Sequence, residues 1–516
     1  MAASRGLAGG ATPSIGARAT ARQLADSGAH WESPQERLRT EVLGRLARAR
    51  SAGIGREEAV RSQFPKTILP DTTYDDLITG LVSGAHLLFF GPSGAGKTNL
   101  AKEVWDLFPK DAWVVQGCPV LDHPLSLTVP EVAERAPPCP ICRRRFAPDG
   151  EVAAWAPERT DASKVPAEYV RMREGFGFAR LQGSSEVFPD HLTGNINLRK
   201  LEEIGDPMSP LVLEPGKLLQ ANRGLLLVDE IGKLPLGTQN VLLQALQEGT
   251  VTPSKSRETF PATFVAVCTS NLSDLDNIND PLSDRLTSLH VGFNPQHAPN
   301  RQIVDLGTDE ATGTVVPEIL VDAGVRVIEA WRLRVSDDNP DIGEVGSNRT
   351  LIDVAHRTNA IATLAGRAFA SPEDLKAGLL HAMRGRIRAR SGDSFRQNER
   401  RVIDFIGQHT DPALRRSAGV YWCRFFRGVL KENDSDGKAL VAEGRRLLND
   451  AQLRSQLPGS PELFPKFRLF LAYVSQRERL PSPASAVDAA ATEFGLLEKF
   501  SVFSCSPEDA DDDAPL

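Results

Sequence analysis

Residues 91–98 read Gly-Pro-Ser-Gly-Ala-Gly-Lys-Thr and match the phosphate-binding pattern GxxxxGK[ST] in full. An apolar run, His86–Phe90, leads into this loop, and an amphipathic stretch, Asn99–Phe108, follows it. Glycines let the backbone wrap around phosphates, so that its N–H groups and the start of the next helix face negative charge. This strand–loop–helix pattern predicts a nucleotide site at the end of a buried strand.

Two side chains of the loop have distinct expected roles. Lys97 is expected to reach the β- and γ-phosphates, and the Thr98 hydroxyl is expected to ligate Mg²⁺. The residues expected to contact the nucleotide are Gly91, Pro92, Ser93, Gly94, Ala95, Gly96, Lys97, Thr98 and Asn99.

A second apolar run, Leu225–Val228, ends in two carboxylates, Asp229 and Glu230. Downstream of a phosphate-binding loop, the first carboxylate suits a Mg²⁺ contact, and the second suits a general base that activates water. The pair therefore favours ATP hydrolysis to ADP and phosphate over nucleotide binding alone.

A third apolar run, Thr263–Thr269, is followed closely by Asn271. An amide at this position could hold the attacking water against the γ-phosphate. It could equally be a turn-forming asparagine, because this residue type is common in turns. The residues alone leave both interpretations open.

Short apolar runs alternate with amphipathic stretches from about residue 65 to residue 294, which predicts an α/β domain with a mostly parallel sheet. The candidate strands are His86–Phe90, Ala112–Gln116, Leu225–Val228 and Thr263–Thr269. We expect a disordered tail (1–32), an N-terminal helical segment (33–64), a nucleotide-binding domain (65–300) with insertions at 118–175 and 183–215, a helical lid (316–392), a further mainly helical region (393–506) and an acidic tail (507–516).

Composition limits the classes of function. The net charge of −7 gives no general reason to expect nucleic-acid binding. No apolar run approaches the roughly 18 residues that a membrane span needs. Six cysteines are too few for a disulfide framework in 516 residues. We expect a cytoplasmic protein, although residues 1–32 also have a composition that fits a transit peptide.

The cysteines suggest a second site. Cys139 and Cys142 form a CxxC pair, and Cys118 and His123 precede it by about twenty residues. These four side chains could form a Cys₃His structural zinc centre at the base of the first insertion. Free thiols are the alternative, and a redox role would need a thioredoxin-like context that the sequence does not have.

Seven arginines lie between residues 384 and 401, with Phe395 among them. Basic residues interleaved with aromatic residues can bind nucleic acid. The charged end of a lid helix is the simpler interpretation, and the acidic net charge favours it.

Several further segments resemble AAA+ ATPases of the magnesium chelatase subunit I and MoxR type, which carry an insertion in helix 2. The stretches that carry the resemblance are 182–184 (QGS), 190–194 (DHLTG), 215–224 (PGKLLQANRG), 239–249 (QNVLLQALQEG) and 281–286 (PLSDRL). The resemblance covers about residues 65–390 and implies a P-loop AAA+ domain followed by a helical lid.

The resemblance implies roles for three more residues. Asn271 becomes the sensor-1 residue, Arg285 an arginine finger that reaches a neighbouring subunit's γ-phosphate, and Arg349 the sensor-2 arginine of the lid. A finger acting on a neighbour implies a homo-oligomeric ring, usually hexameric in this family. The segment 183–215 becomes the helix-2 insert.

The resemblance also implies a function and partners. We expect a ring motor that remodels, activates or loads a partner protein, with ATP and Mg²⁺ as cofactors and Zn²⁺ as a possible structural ion. The chain has no Asp-x-Ser-x-Ser motif, so any integrin-type metal-binding partner would be a separate protein. The segment 118–125 with its long insertion also resembles the ATPase part of PrkA-type serine kinases. A protein kinase is therefore the alternative function, and a nucleic-acid translocase is the third.

Overall fold

The computed structural model describes residues 13–147, 150, 152–253, 256, 258–308, 314–334, 346–367, 369–384 and 394–431. The chain divides into two compact units, Met1–Gly292 and Phe293–Leu516. The expected acidic tail and most of the region 393–506 lie outside the described residues. In the part that the structure describes, no helix is both long enough and apolar enough to cross a bilayer.

The first unit contains helices and strands in alternation, as the sequence predicts. Its helices are α1 (Ala21–Asp26), α2 (Pro34–Ser51), α3 (Arg56–Arg61), α4 (Asp71–Ser83), α5 (Lys97–Leu107), α6 (Pro130–Arg135), α7 (Pro140–Phe146), α8 (Pro189–Thr193), α9 (Leu198–Ile204), α10 (Lys217–Gln220), α11 (Leu236–Glu248) and α12 (Asp280–Ser283). Its strands are β1 (Arg18–Thr20), β2 (His86–Gly91), β3 (Asp111–Val115), β4 (Pro166–Arg171), β5 (Arg173–Glu174), β6 (Gly177–Gln182), β7 (Gly194–Ile196), β8 (Leu213–Pro215), β9 (Leu225–Asp229), β10 (Thr250–Val251), β11 (Phe260–Pro261), β12 (Val265–Asn271) and β13 (Leu286–His290).

A six-stranded sheet in the order β13–β2–β12–β9–β6–β5 forms the centre of the first unit, and all of its neighbouring strands pair in parallel. The predicted α/β fold with a mostly parallel sheet is therefore confirmed. The register pairs Asn271 of β12 with Gly91 of β2, and Gln182 of β6 with Asp229 of β9. Parallel pairing in this register brings the carboxyl ends of four strands to one edge of the sheet.

One predicted strand belongs to a different sheet. The run Ala112–Gln116 forms β3, which pairs antiparallel with β4 in a separate sheet of order β1–β4–β3. The place beside β9 in the central sheet is taken by β6 instead. The sequence of β6, GFARLQ, alternates buried and partly exposed residues and lacks the apolar run by which the other strands were recognised.

The N-terminal tail expected to be disordered through residue 32 contains ordered elements. Strand β1 pairs with β4, and α1 follows with a capping box formed by Thr20 and Gln23. Ala21 and Leu24 are buried in the core of the first unit, so this short segment has an apolar face that the composition concealed. Helix α2 begins with a capping box formed by Ser33 and Glu36.

The second unit is helical where the structure describes it. Its helices are α13 (His297–Gly307), α14 (Glu318–Arg334), α15 (Asn348–Leu364), α16 (Pro372–Met383) and α17 (Phe395–Lys431). Helices α15 and α16 pack against each other. The rings of Trp331 and Phe405 meet edge to face at 4.6 Å between centroids in the core of this unit.

Candidate functional site

The phosphate-binding loop joins β2 to α5, as its sequence predicts. Gly94 and Gly96 have φ values of 76° and 105°, which residues with a side chain rarely adopt. Gly91 has a different constraint, because a Cβ there would lie 2.1 Å from the carbonyl oxygen of Val291. The loop therefore depends on three glycines for two separate physical reasons.

Lys97 is buried at the first position of α5. Its Nζ donates hydrogen bonds to the carbonyl oxygens of Gly91 at 2.9 Å and Pro92 at 2.7 Å. It also donates to Oδ1 of Asn271 at 3.1 Å. The ammonium group therefore lies inside the loop and in contact with the end of β12.

Asp229 ends β9 and is almost fully buried. Its Oδ1 accepts hydrogen bonds from the hydroxyls of Thr98 at 2.9 Å and Thr269 at 2.6 Å. Its Oδ2 accepts from Arg180 Nη2 at 3.1 Å. Three donors on three different elements therefore fix the orientation of this carboxylate.

Glu230 follows directly and adopts a left-handed backbone conformation with φ 56° and ψ 52°. This conformation is uncommon for a residue with a side chain, and such residues are frequent at functional sites. The Glu230 N–H donates to Thr269 Oγ1 at 2.9 Å. A Cβ on Gly183 would lie 2.1 Å from the Glu230 carbonyl oxygen, so only glycine fits opposite this turn.

The carboxylate of Glu230 has a partner on each side. Gln182 Nε2 donates to Oε2 at 2.8 Å, and Lys233 Nζ lies 2.9 Å from Oε1. The hydrogen bond to Glu230 raises the pKa of Lys233 above its usual range. Asn271 Nδ2 is 3.5 Å from Oε1 as well. Asn271 thus lies between Lys97 and Glu230, with its side chain in the site rather than in a turn.

Among the described residues of the first unit, Arg285 has no hydrogen bond or ion pair with this cluster. Arg285 is exposed and directly precedes β13, just after α12. Arg349 is exposed in the first turn of α15, in the second unit. Their roles on a neighbour's nucleotide and in the lid remain predictions.

Sequence reasoning missed four residues that shape the site: Arg180, Gln182, Thr269 and Lys233. Three of them lie at or near the carboxyl ends of β6 and β12. Recognising β6 as a neighbour of β9 would have found the first two, since Gln182 is in register with Asp229. Thr269 was already the last residue of a predicted strand, and its hydroxyl was the available signal.

The cysteine site differs from the predicted ligand set. Ligand atoms of Cys118, Asp122, Cys139 and Cys142 all lie within 4.8 Å of one another, and all four residues are buried. His123 is not a member of this group. Its Nδ1 accepts a hydrogen bond from the N–H of Leu125 at 3.2 Å and caps the short 3₁₀ turn Pro124–Leu127. The predicted histidine ligand is therefore wrong, and the preceding aspartate faces the thiols.

Burial dominates the electrostatics of this cluster. Burial, and then the nearby charge of Cys118, raise the pKa of Asp122 to about 8. Although burial opposes it, hydrogen bonds from Cys139 and Cys142 lower the pKa of the Cys118 thiol. Burial also lowers the pKa of the neighbouring Arg223 guanidinium to about 9. In the described residues the cluster is thus a closed set of potential anions beside a buried guanidinium.

Comparisons with known proteins agree with this geometry. Residues 82–306 match the family model of the PrkA AAA domain. The serine/threonine kinase YeaG of Escherichia coli K12 is 28% identical over 215 residues, which are 38% of this chain and 33% of the kinase. The chloroplastic magnesium-chelatase subunit ChlI of Chlamydomonas reinhardtii is 25% identical over 272 residues, which are 47% of this chain and 64% of that protein.

The chain spans about a third of the kinase's length and less than two thirds of the chelatase subunit's length. Among solved structures, a chain of the BchI–BchD complex of magnesium chelatase is similar at 20% identity, with a TM-score of 0.32, over 65% of this chain and 98% of that one. The likeness to these proteins rests on the sequence matches. Residues 82–306 contain an AAA+ P-loop domain similar to those of PrkA proteins and magnesium chelatase subunit I.

Proposed function

We propose that the protein hydrolyses ATP to ADP and phosphate as the motor of a ring that acts on a partner protein. The single observation that carries hydrolysis is the placement of Glu230. Its carboxylate lies beside the Asn271 amide, which in turn contacts Lys97 of the phosphate-binding loop. A base and an amide at this position suit activation of a water molecule in line with the terminal phosphate.

The donor set fits a magnesium ion. Thr98 Oγ1 and Asp229 Oδ1 are 2.9 Å apart, and hydroxyl and carboxylate oxygens are the ligands that Mg²⁺ prefers. When bound, the ion would neutralise the charge that develops on the phosphate oxygens. The remaining work falls to the chain's own groups: Lys97 binds phosphate, and Glu230 accepts a proton from water.

The proposed ring assembly and the proposed protein client are supported by exposed residues. Arg285 is exposed, which suits a finger that reaches a neighbouring subunit. The insertion 183–215 presents large apolar side chains to solvent, with Phe188 63% and Leu198 73% exposed. Contiguous exposed apolar patches mark protein contacts, and we propose that these side chains belong to one. These features support a ring, expected to be hexameric, that contacts a protein client through the insertion.

Nucleic acid is a weaker candidate partner. Seven arginines between residues 384 and 401 are the candidate nucleic-acid contacts. Three of them, Arg386, Arg388 and Arg390, lie outside the described residues. The net charge of −7 also disfavours a nucleic-acid translocase.

Protein phosphorylation is the second candidate, and the match to the PrkA AAA domain and to a serine/threonine kinase favours it. In that case the terminal phosphate would pass to a serine or threonine hydroxyl rather than to water. The same residues would hold the nucleotide, so the two functions differ in the acceptor.

The test compares Lys97→Ala, Glu230→Gln and a control, Glu248→Gln, whose carboxylate is exposed at the end of α11. We expect Lys97→Ala to lose nucleotide binding, and Glu230→Gln to bind ATP with turnover reduced about 100-fold or more, the usual contribution of a general base. The control should behave as the unmodified protein. Both phosphate release and transfer of the labelled γ-phosphate to protein should be measured.

Turnover of Glu230→Gln within threefold of the unmodified protein would contradict the assignment of the base. Labelled protein that accumulates faster than free phosphate would favour the kinase.

A further inference from the structure

The four buried ligand atoms of the first insertion have spacings that suit a metal ion. The Sγ atoms of Cys118 and Cys139 are 3.9 Å apart. In a tetrahedral centre with Zn–S bonds of about 2.3 Å, two sulfurs lie about 3.8 Å apart. A disulfide would require about 2.05 Å. The observed separation therefore matches two thiolates that share an ion, and not a covalent pair.

Backbone amides already support the ligands as such a centre requires. The N–H of Asp122 donates to Cys118 Sγ at 3.3 Å, and the N–H of Cys142 donates to Cys139 Sγ at 3.4 Å. The N–H of Cys139 donates to Asp122 Oδ2 at 2.8 Å. Hydrogen bonds to the ligands orient them and stabilise their charged forms. Two of these bonds lie within one segment each, and the third joins the segment of Cys118 and Asp122 to that of Cys139 and Cys142.

The four side chains come from two segments of the chain, which hydrogen bonds from Cys139 to Asp122 and from Arg145 to Gln116 also join. Cys118 and Asp122 lie in the loop after β3, whereas Cys139 and Cys142 lie at the start of α7, in a proline-rich stretch. Helix α7 has seven residues, which is too short to be stable without tertiary support. Packing of Ile141 and Phe146 against the core gives part of this support, and an ion bound by both segments would add to it.

We propose that Cys118, Asp122, Cys139 and Cys142 bind a structural Zn²⁺ ion. Three thiolates and one carboxylate form a tetrahedral set of the kind that zinc accepts, and soft thiolate ligands select against magnesium and calcium. Four protein ligands leave no open position for water, so the ion takes no part in hydrolysis. Its role is to clamp α7 to the loop after β3.

The loop that the ion organises is also joined to the strand of the nucleotide site. Asn222 Nδ2 donates to the Val120 carbonyl at 2.6 Å, and Arg223 Nη1 donates to the Leu121 carbonyl at 2.9 Å. These two residues directly precede Gly224 and β9, which ends in Asp229. The guanidinium of Arg223 also offsets part of the negative charge of the ligands.

The first experiment measures zinc, iron and copper in the purified full-length protein, without added chelator. We expect about one zinc per chain and no other metal, because the site has a single set of four ligands. Replacement of zinc by Co²⁺ should give the absorption of a tetrahedral cobalt centre with thiolate ligands. Protein that carries iron in place of zinc, or no metal with its insertion still resistant to protease, would overturn the proposal.

Variants then identify the ligands. Cys139→Ser with Cys142→Ser should lose the zinc and become sensitive to trypsin at Arg143–Arg145, with nucleotide binding retained. Asp122→Ala should weaken zinc binding at least about tenfold, and Asp122→Cys should retain it, since a fourth thiolate is an equivalent ligand. His123→Gln should keep full zinc content.

Cys268→Ser is the matched control, because Cys268 is buried in β12 and is not part of the cluster. Loss of zinc from His123→Gln together with its retention in Asp122→Ala would show that the assigned fourth ligand is wrong. Asp122→Cys keeps the test decisive if the double serine variant does not fold. None of these results depends on the proposed hydrolysis.

Discussion

The nucleotide site and the cysteine cluster lie in the same unit and differ in almost every physical respect. The first is assembled from the ends of β2, β6, β9 and β12 and is partly open to solvent, with the Glu230 side chain 31% exposed. The second comes from 25 consecutive residues, 118–142, and all of its ligands are buried. The nucleotide site is open enough for a ligand to enter and leave, whereas the cysteine cluster is enclosed by protein.

The two sites also differ in whether a single chain supplies all of the groups that each site needs. The cysteine cluster has four ligands within one chain, which is the full set for a tetrahedral ion. In the described part of the first unit, the proposed roles at the nucleotide site are phosphate binding by Lys97, a Mg²⁺ contact by Asp229 and a general base at Glu230. Arg180, the arginine at this site, pairs with Asp229. The expected second cation is Arg285 of another subunit.

Removal of Arg285 should have the largest effect on the open site. We expect Arg285→Ala to lower turnover about 100-fold or more, since arginine fingers contribute about 10³–10⁵ to the rate. Mixing these subunits with Lys97→Ala subunits should restore part of the hydrolysis, because sites with an intact loop and an intact finger reappear. Steady-state phosphate release against the mixing ratio measures this rescue.

The control for this experiment is Arg56→Ala, which removes an exposed arginine that pairs with Asp75. Its turnover should be unchanged. A strictly monomeric Arg285→Ala protein with normal turnover would show that the nucleotide site is complete within one chain, and the contrast with the cysteine cluster would disappear.

Asn222 tests whether the two regions are independent. Its side chain is buried, accepts from the N–H of Thr263 at 2.9 Å and donates to the Val120 carbonyl. Asn222→Ala leaves the buried Val120 carbonyl and the partly buried Thr263 N–H without this partner, which costs about 1–3 kcal/mol of unfolding free energy. We expect urea unfolding to show this loss, with zinc content and the apparent affinity for ATP unchanged.

The control is Asn277→Ala, at an exposed position, which should be close to neutral. Loss of both zinc and ATP binding in Asn222→Ala, under conditions where the protein stays folded, would show that the two sites are coupled through this side chain.

The same contrast explains what the sequence could predict. The phosphate-binding loop is a local pattern with a single backbone solution, so Lys97 and Thr98 lie where they were expected. Asp229 and Glu230 follow an apolar strand for the same reason. Strand order is not local: β6 has no apolar run, and its place beside β9 depends on the rest of the sheet. Arg180 and Gln182 were missed with it.

In the cysteine cluster the thiols could be predicted and the fourth ligand could not. Asp122 and His123 are adjacent, and spacing does not distinguish them. The outcome depends on one turn: Leu121 adopts φ 65°, and the His123 ring caps the backbone at Leu125. Backbone dihedral angles decide which of two adjacent residues faces the thiols. Residue spacing carries no information about those angles.

The smallest expected effect concerns the solvent side of the open site. Lys233 is 45% exposed and pairs with Glu230, whereas Gln182 holds the other carboxylate oxygen through a neutral hydrogen bond. Exposed ion pairs contribute about 0–1 kcal/mol, so we expect Lys233→Ala to lower turnover at saturating ATP by less than about fivefold. Because salt screens exposed charges, turnover of the unmodified protein should approach that of the variant as salt rises.

Gln182→Ala is the comparison, and its effect on turnover should not change with salt. A loss in Lys233→Ala as large as that in Glu230→Gln, or one independent of salt, would mean that Lys233 touches the reacting phosphate instead of positioning Glu230.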